Sequence, residues 1–268
     1  MKYVVDHDYH IHSMLSLCSG HPEQTPENIL AYAQKNGLKQ IILTDHFWDE
    51  NVPGASNWYK QQDYAHISKW LPLPKADGVR FGFGCETDMD KYFVVGVSPE
   101  VMAKLDFVIV PTTHMHMMGF TLDPEDGTHE GRAKLWVKRF EKLLAYDYPK
   151  RKVGLAHMTD GLIYNKEWED HLKVLDLIPD SALRELFSGA AEKEIGIEIN
   201  TRPDKYAPDQ IGRMLRFFFI AKECGCKFYL GSDSHNPGGF SDAMDRFHKM
   251  VDLLGLEESD KFHPACFD

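Results

Sequence analysis

The chain has 268 residues, of which 43% are hydrophobic, and its formal net charge is −11. No apolar run approaches the ~20 residues of a membrane span, and we find no secretory signal, so we expect a cytoplasmic protein without a membrane partner. The five cysteines follow no zinc-finger spacing and are expected to be free thiols. The acidic charge argues against binding of long nucleic acids, and an anionic substrate would need a local positive centre such as a metal cluster.

Short apolar runs alternate with helical patterns along the chain, and no linker is long enough to divide it. Near-continuous apolar character is typical of parallel strands buried on both faces. The predicted strands are residues 4–10, 40–44, 79–85, 107–110, 152–156, 195–199 and 227–230. Helices are predicted to begin at Thr25-Pro26 and Ser98-Pro99, and to occupy residues 132–145, a segment around 211–218 and residues 241–254. Seven strand–helix pairs predict a single α/β domain over residues 1–268, built as a barrel, with a doubly wound open sheet as the alternative.

Each predicted strand ends in side chains that can bind a metal ion or a substrate. In chain order these ends are DYHIHS (His10, His12), TDH (Asp45, His46), GCETD (Glu86), TTHMH (His114, His116), AHMTD (His157), EINTR (Glu198, Asn200, Arg202) and GSDSH (Asp233, His235). A single histidine after a strand is usually structural, but the carboxyl ends of barrel strands meet at one face. We therefore interpret the set as a site for two or three divalent ions. Mixed imidazole and carboxylate ligands suit zinc, manganese or iron.

The ordered motifs also resemble a known family. They are Asp8-x-His10-x-His12-Ser13, Thr44-Asp45-His46, Gly84-x-Glu86, His114, His157, Glu198-Ile199-Asn200-Thr201 and Gly231-Ser232-Asp233-Ser234-His235. Together they resemble the polymerase-and-histidinol-phosphatase (PHP) family, and within it the histidinol-phosphatase branch. The resemblance runs from residue 6 to about residue 240. It implies a distorted seven-stranded (β/α)7 TIM-like barrel with up to three metal ions at the C-terminal face of the strands.

The resemblance also implies how the ligands divide among the ions. The first ion would take His10, His12, Glu86 and Asp233; the second Glu86, His114 and His157; and the third His46 and His235. Family members complete the third site with a histidine six residues after the HxH pair, where this chain has Cys18. Three explanations stay open: Cys18 ligates as a thiolate, His21 enters from a rearranged loop, or the third site is weak. In the HMH segment, either His114 or His116 could face the metal, and the resemblance favours His114.

Such a cluster would hydrolyse a phosphate ester with a metal-activated hydroxide and would neutralise the charge of the phosphate. Asp45 and Arg202 are the predicted catalytic residues, and both Asp45 and Asp160 are candidates either for a proton donor or for a carboxylate that orients a histidine ligand. Arg202, Asn200, His116 and Arg132 are the predicted substrate contacts. The aromatic segment 47–78 and the Met-rich segment 115–130 either line the pocket or pack on the outside of the barrel.

We therefore predict a metal-dependent phosphatase that acts on a small phosphomonoester. L-histidinol phosphate is the first substrate to test, which would place the protein in histidine biosynthesis. One alternative is a phosphodiesterase or nuclease acting on nucleotides. Another is an amidohydrolase-type metal hydrolase, although no strand ends in the lysine that such enzymes usually use as a bridge. A degenerate PHP domain with a purely structural role is a further alternative. The sequence leaves the oligomeric state open.

Overall fold

The computed structural model describes residues 1–164 and 167–268, in which parallel strands alternate with helices. The strands are β1 (His7–Ile11), β2 (Gln40–Leu43), β3 (His46–Phe47), β4 (Arg80–Phe83), β5 (Cys85–Thr87), β6 (Val108–Pro111), β7 (Val153–Ala156), β8 (Gly196–Ile199) and β9 (Lys227–Leu230). The helices are α1 (Pro26–Lys35), α2 (Tyr64–Ile67), α3 (Pro99–Met102), α4 (His129–Ala145), α5 (Trp168–Asp176), α6 (Asp180–Glu192), α7 (Pro208–Glu223) and α8 (Ala243–Leu254).

The strands form two parallel sheets, with the orders β1-β2-β4 and β3-β5-β6-β7-β8-β9. Gly84 divides the predicted strand 79–85 into β4 and β5, and the short strand β3 follows β2 after an interruption at Thr44 and Asp45. Backbone hydrogen bonds cross both interruptions, because Gly84 N donates to Leu43 O (2.8 Å) and Glu86 N donates to Asp45 O (3.0 Å). At Gly84 a side chain would collide with the carbonyl oxygen of Phe107, so the neighbouring chains approach most closely there.

The first and last strands approach each other through the segment after β9. Asp233 N donates to His10 O (2.8 Å), and His12 N donates to Ser234 O (3.1 Å). The predicted parallel α/β architecture is therefore confirmed. The predicted count of seven strands is not, because the strand pairing forms two separate sheets with additional short strands. The first strand also begins later than residue 4, since Val4 is exposed and its N–H donates to the side chain of Glu258 instead of to a strand.

The helix starts predicted at Thr25-Pro26 and Ser98-Pro99 agree with the structure. Thr25 accepts a hydrogen bond from Asn28 N before α1, and Ser98 accepts one from Val101 N before α3. Helix α4 begins three residues earlier than predicted, because Thr128 caps it by accepting from Gly131 N at 3.0 Å. The sequence patterns named no helix between β7 and β8, where α5 and α6 lie.

Aromatic and aliphatic side chains fill the space between the helices and the sheets. Trp136 and Phe140 of α4 pack against one another and against helices α6 and α7, with Phe217 contacting Trp136. A second buried cluster joins Tyr9 of β1 to Phe107 and Tyr229. Burial of such rings contributes most of the stabilisation of a fold of this kind. Within the described ranges, no helix has both the length and the apolar character needed to cross a bilayer.

Candidate metal centre

Glu86 lies at the centre of a buried cluster of imidazoles. Its Oε2 is 3.0 Å from His46 Nδ1 and 3.3 Å from His12 Nε2, and its Oε1 is 3.3 Å from His157 Nε2 and 3.8 Å from His114 Nε2. Among the residues that the structure describes, neither carboxylate oxygen has a hydrogen-bond partner, although the side chain is fully buried. A buried carboxylate is costly unless a cation accompanies it, so the cluster has the chemistry to hold divalent ions.

Besides the group His10, His157 and Glu198, three overlapping groups of side chains each bring their ligand atoms within 4.8 Å of one another. They are His10, His12, Glu86 and Asp233; Glu86, His114 and His157; and His12, His46 and His235. The first two groups contain the residues that the resemblance assigns to the first and second ions. The third group contains His12 in addition to the two expected histidines. Glu86 belongs to two groups, which is the arrangement that a bridging carboxylate requires.

Cys18 and His21 were the candidates for the remaining ligand of the third site. Cys18 lines the cavity above the cluster and helps to raise the pKa of His46. His21 is exposed, and its Nδ1 accepts a hydrogen bond from Glu23 N within the same loop. The structure therefore brings Cys18 to the cluster and leaves His21 outside it.

The carboxylates of the cluster attract positive charge. Burial acts to lower the pKa of His46, but the neighbouring Glu86 carboxylate outweighs it and raises this pKa to about 10. Burial acts to raise the pKa of Glu86, yet His46 and His10 hold it well below its usual range. Asp233 likewise has a pKa well below its usual range, because His10 and His157 outweigh the effect of burial. Divalent ions would supply this positive charge and displace the imidazole protons.

The ring nitrogens that face away from Glu86 also have partners. His10 Nδ1 is 2.5 Å from Glu198 Oε1, and His157 Nδ1 is 2.6 Å from Asn200 Nδ2. Glu198 also accepts from the backbone N–H of His157 at 3.1 Å, so one carboxylate holds two of the histidines. The Glu198 carboxylate can only accept, so it fixes the tautomer of His10 with the free electron pair on Nε2, whereas Asn200 orients the ring of His157.

The backbone at the cluster adopts uncommon conformations. His157 and Asp233 have φ angles of 58° and 53°, in the left-handed region that residues other than glycine rarely adopt. Gly231 has no room for a side chain, since a Cβ there would collide with Glu198 and His10. The GSDSH motif therefore needs its glycine for close packing behind the first ligand group.

Asp45 does not contact the cavity in the described part of the chain, which corrects its predicted role as a proton donor. Its carboxylate accepts hydrogen bonds from Ser13 N (2.7 Å), Ser13 Oγ (2.6 Å) and Ser16 Oγ (2.7 Å). Ser16 Oγ is also 2.9 Å from His12 Nδ1. Asp45 therefore orients His12 through Ser16, which is the other role that the sequence suggested for it.

A cavity of about 500 Å³ lies over the cluster. Its wall opposite the cluster is formed by Trp58, Tyr59, Met117 and Leu162, so parts of both inserted segments line the pocket. The rings of Trp58 and His46 meet edge to face with their centres 5.0 Å apart. Other aromatic residues of these segments, such as Trp48 and Phe120, pack against one another behind this wall.

His116 and Asp160 complete the cavity wall, and both are exposed. The ring of His116 lies edge to face with that of His114, with the centres 5.6 Å apart. Only His114 of the two belongs to a ligand group among the described residues. His116 therefore lines the cavity without belonging to a ligand group.

A smaller cavity of about 150 Å³ adjoins the first and shares Asp160 and Asp233 with it. Its lining is polar and includes Asn200, Arg202 and Arg246. Arg202 donates to Asp242 and does not line the larger cavity among the described residues. Arg246 is buried and donates to Asn200 O at 3.1 Å. No motif pointed to Arg246, because it lies within α8, far along the chain from any strand end.

Arg132 was expected to contact the substrate, and this prediction is wrong. Its side chain is buried, and its guanidinium donates to Met115 O and Ile163 O, both at 2.7 Å. It also stacks over the ring of Tyr164. Arg132 thus joins two loops from beneath, and among the described residues it lies outside both cavity walls.

Comparisons with solved structures support this fold. The chain is similar to the histidinol phosphate phosphatase of Lactococcus lactis subsp. lactis Il1403, which was crystallised with zinc, L-histidinol and phosphate. The two share 17% identity with a TM-score of 0.57, and the match covers 96% of this chain and 98% of that one. It is also similar to a putative histidinol phosphatase of Listeria monocytogenes, at 13% identity and a TM-score of 0.58, covering 90% and 99%. At these identities the likeness concerns the fold alone.

Sequence comparisons give two further findings. Over 103 residues the chain is 32% identical to a probable phosphatase of Syntrophotalea carbinolica, a match that spans 38% of each protein. The family model described as the PHP domain matches residues 8–202, which contain all the cluster residues except Asp233 and His235. Because this match covers well over half of the sequence, the chain belongs to the PHP domain family.

Proposed function

We propose that this protein is a metal-dependent phosphatase that hydrolyses a small phosphomonoester. The observation that carries the proposal is the fully buried Glu86 carboxylate, whose oxygens face five imidazoles without a hydrogen-bond partner in the described chain. Its family and the phosphatase relative support the same reaction class. We further propose that residues 1–268 form one domain whose two sheets act as a distorted seven-stranded barrel.

The proposed ligands are the cluster residues His10, His12, His46, Glu86, His114, His157, Asp233 and His235, with Cys18 as the candidate for an additional ligand at the third ion. Divalent ions in such a cluster acidify water and neutralise the charge of a phosphate. The net charge of −11 therefore does not prevent the binding of an anionic substrate at this point.

The chain contributes polar side chains beside the cluster. We propose that Arg202 and Asn200 bind the phosphate from the smaller cavity, which meets the cluster at Asp233. Arginine suits this task because its guanidinium can donate two parallel hydrogen bonds to phosphate oxygens. Asp160 belongs to both cavity walls, so it can donate a proton to the leaving group or accept hydrogen bonds from it.

L-histidinol phosphate is the first candidate substrate, which would give the protein a role in histidine biosynthesis. The larger cavity has room for a small leaving group beside its aromatic wall. The Lactococcus enzyme of similar fold was crystallised with L-histidinol and phosphate. Among the described wall residues, Asp160 is the carboxylate outside the ligand groups, and it is positioned to accept hydrogen bonds from an ammonium group.

The test is a turnover assay of the purified protein loaded separately with zinc, manganese or iron(II). The panel contains L-histidinol phosphate, p-nitrophenyl phosphate and a dinucleotide, and the Glu86→Gln variant serves as the blank. We expect phosphate release from a monoester, fastest with L-histidinol phosphate, and little cleavage of the dinucleotide. Absence of turnover of every monoester would contradict the proposal, and preferential cleavage of the dinucleotide would favour a phosphodiesterase.

A further inference from the structure

Asp88 is a fully buried carboxylate directly after β5, and the proposed reaction gives it no role. Its Oδ2 is 3.0 Å from His114 Nδ1, and its Oδ1 accepts from Arg139 Nη2 at 2.8 Å and from Met89 N at 2.7 Å. Tyr59, whose ring lines the larger cavity, donates from its hydroxyl to Oδ2 at 3.4 Å. Each of these four groups can donate a hydrogen bond to the carboxylate of Asp88.

Arg139 is rigidly held on the far side of Asp88. It projects from α4, is 1% exposed, and also donates to Met89 O at 2.7 Å and to Pro111 O at 3.4 Å. Arginine stays protonated in proteins, and removing one partner from a buried ion pair is strongly unfavourable. Asp88 is therefore kept as a carboxylate, which can only accept hydrogen bonds.

A carboxylate that only accepts hydrogen bonds determines the tautomer of His114. The proton must lie on Nδ1, which faces Asp88, and the free electron pair must lie on Nε2, which faces Glu86 at 3.8 Å. We propose that Asp88 and Arg139 form a positioning pair that fixes this tautomer and so retains the ion of the group Glu86, His114 and His157. The inference rests on the proposed metal-dependent function and extends it to two residues outside the ligand set.

The substitution Asp88→Asn tests the pair with minimal change in shape. Because Arg139 can only donate, the amide oxygen must face Arg139, and the amide N–H then faces His114 Nδ1. That arrangement favours the opposite tautomer, with the proton on the nitrogen that should bind the metal. We expect one ion to bind about 10- to 100-fold more weakly, with the other sites unchanged.

Metal binding is measured on the whole protein without substrate. Cobalt(II) is titrated in while the visible absorption spectrum, which reports the coordination of the ion, is followed, and the bound metal is counted by mass spectrometry. We expect the spectrum of the weakened site to be lost at low cobalt and recovered at high cobalt. The matched control is Asp49→Asn, since Asp49 is also buried and accepts from Ser98 and from Asn51 N, but its hydrogen bonds involve no histidine.

Two results would overturn the inference. One is a cooperatively folded Asp88→Asn protein with the affinities and spectrum of the parent. If this variant does not fold, ¹⁵N NMR of the histidine rings in the metal-free parent shows which nitrogen of His114 carries the proton. The signals of His114 are assigned as those missing from the spectrum of the His114→Gln variant. A proton on Nδ1 of His114 supports the pair, and a proton on Nε2 overturns it. A parent that binds cobalt but cleaves no monoester would contradict the proposed function and leave this inference standing.

Discussion

Histidines lie at both ends of strand β1, and their surroundings differ. At the amino end, His7 Nδ1 is 3.1 Å from Asp6 Oδ1, and its Nε2 accepts a hydrogen bond from Leu230 N at 3.1 Å. Beyond the carboxyl end, His12 faces Glu86, whose oxygens have no hydrogen-bond partner in the described chain. Both imidazoles are fully buried. Burial therefore does not distinguish a structural histidine from one in a metal site. The distinguishing feature is a neighbouring buried carboxylate whose oxygens have no hydrogen-bond partner in the described chain.

At the amino end of the strands, polar side chains pair with one another or with backbone carbonyl groups. Lys261 is buried and lies 3.1 Å from Asp6, and Tyr3 donates from its hydroxyl to Phe228 O at 2.8 Å. The carboxyl end instead holds Glu86 and Asp233, whose charge is balanced by neighbouring imidazoles. The same residue types thus stabilise the fold at one end and form a candidate site at the other.

The substitution Glu86→Gln should have the largest effect at the carboxyl end. The amide removes the charge shared by two ligand groups, so we expect metal affinity and kcat/KM to fall by more than about 100-fold, the upper range for loss of a residue that only orients a ligand. The thermal unfolding temperature of the metal-free protein should also fall, because the amide no longer balances the charge of the neighbouring imidazoles. Metal content and phosphate release measure the first effect and calorimetry the second. Full metal retention would refute the central role of Glu86.

The substitution His7→Phe should lower the stability of the fold and leave metal binding unchanged. It leaves the buried N–H of Leu230 without its partner, which costs about 1–3 kcal/mol, while Asp6 keeps its contact with Lys261. We expect the free energy of unfolding in urea to fall by this amount while the bound metal per folded chain stays at the level of the parent. Loss of metal from the folded variant would show that the two ends are not independent.

Arg202→Ala tests the smaller cavity beside the cluster. Loss of a charge-assisted hydrogen bond to the phosphate should raise KM for the monoester about 10-fold, which corresponds to about 1.4 kcal/mol. Stability should change little, because Arg202 and its partner Asp242 are partly exposed. The matched control is Arg213→Ala, which breaks an ion pair with Asp176 outside both cavities. An equal KM in both variants would contradict a phosphate contact by Arg202.

Asp6→Asn should have the smallest effect, and its size should depend on pH. Burial acts to raise the pKa of Asp6, but His7 and Lys261 outweigh it and lower the pKa to about 2 from its usual 3.8. A carboxyl group with a lowered pKa stabilises the folded state fully above its unfolded pKa, and this contribution is lost as the pH falls towards 2. We expect the parent to exceed the variant by about 1 kcal/mol near neutral pH, since the site is partly solvated.

Urea unfolding at a series of pH values measures this difference. It should stay constant from pH 7 to about 5 and decrease below about pH 4, while the parent remains folded. A difference that stays constant or grows below pH 4 would contradict the assigned ion pair.

Several parts of the structure were predictable because their causes are local. Thr25-Pro26 and Ser98-Pro99 carry the capping hydroxyl and the proline of a helix start within adjacent residues, and both helices begin there. The seven apolar runs all became strands, although Gly84 divides one of them, because Phe107 approaches it too closely for a side chain. The metal groups were foreseeable because consecutive strand ends share one face of a parallel sheet.

Other parts depended on contacts between distant segments. Arg132 was expected at the substrate but is buried against the carbonyl groups of Met115 and Ile163. Asp88 meets Arg139 across 51 residues of sequence, and nothing near either residue indicates the other. Asp45 could be read as a proton donor until its contacts with Ser13 and Ser16 were seen.

The alternation of apolar runs with helical patterns determined the fold class. The order and chemical types of the strand-end residues determined the presence of a histidine–carboxylate cluster, because the geometry of parallel strands carries every carboxyl end to one face. The partner of each buried polar group was decided only by the folded chain. His7 and His12 are alike in the sequence, and they differ because Leu230 and Asp6 saturate the first, whereas Glu86 faces the second with its hydrogen-bonding capacity unused. Packing between segments far apart in the chain decides which buried polar groups find hydrogen-bond partners, and no local sequence pattern encodes this.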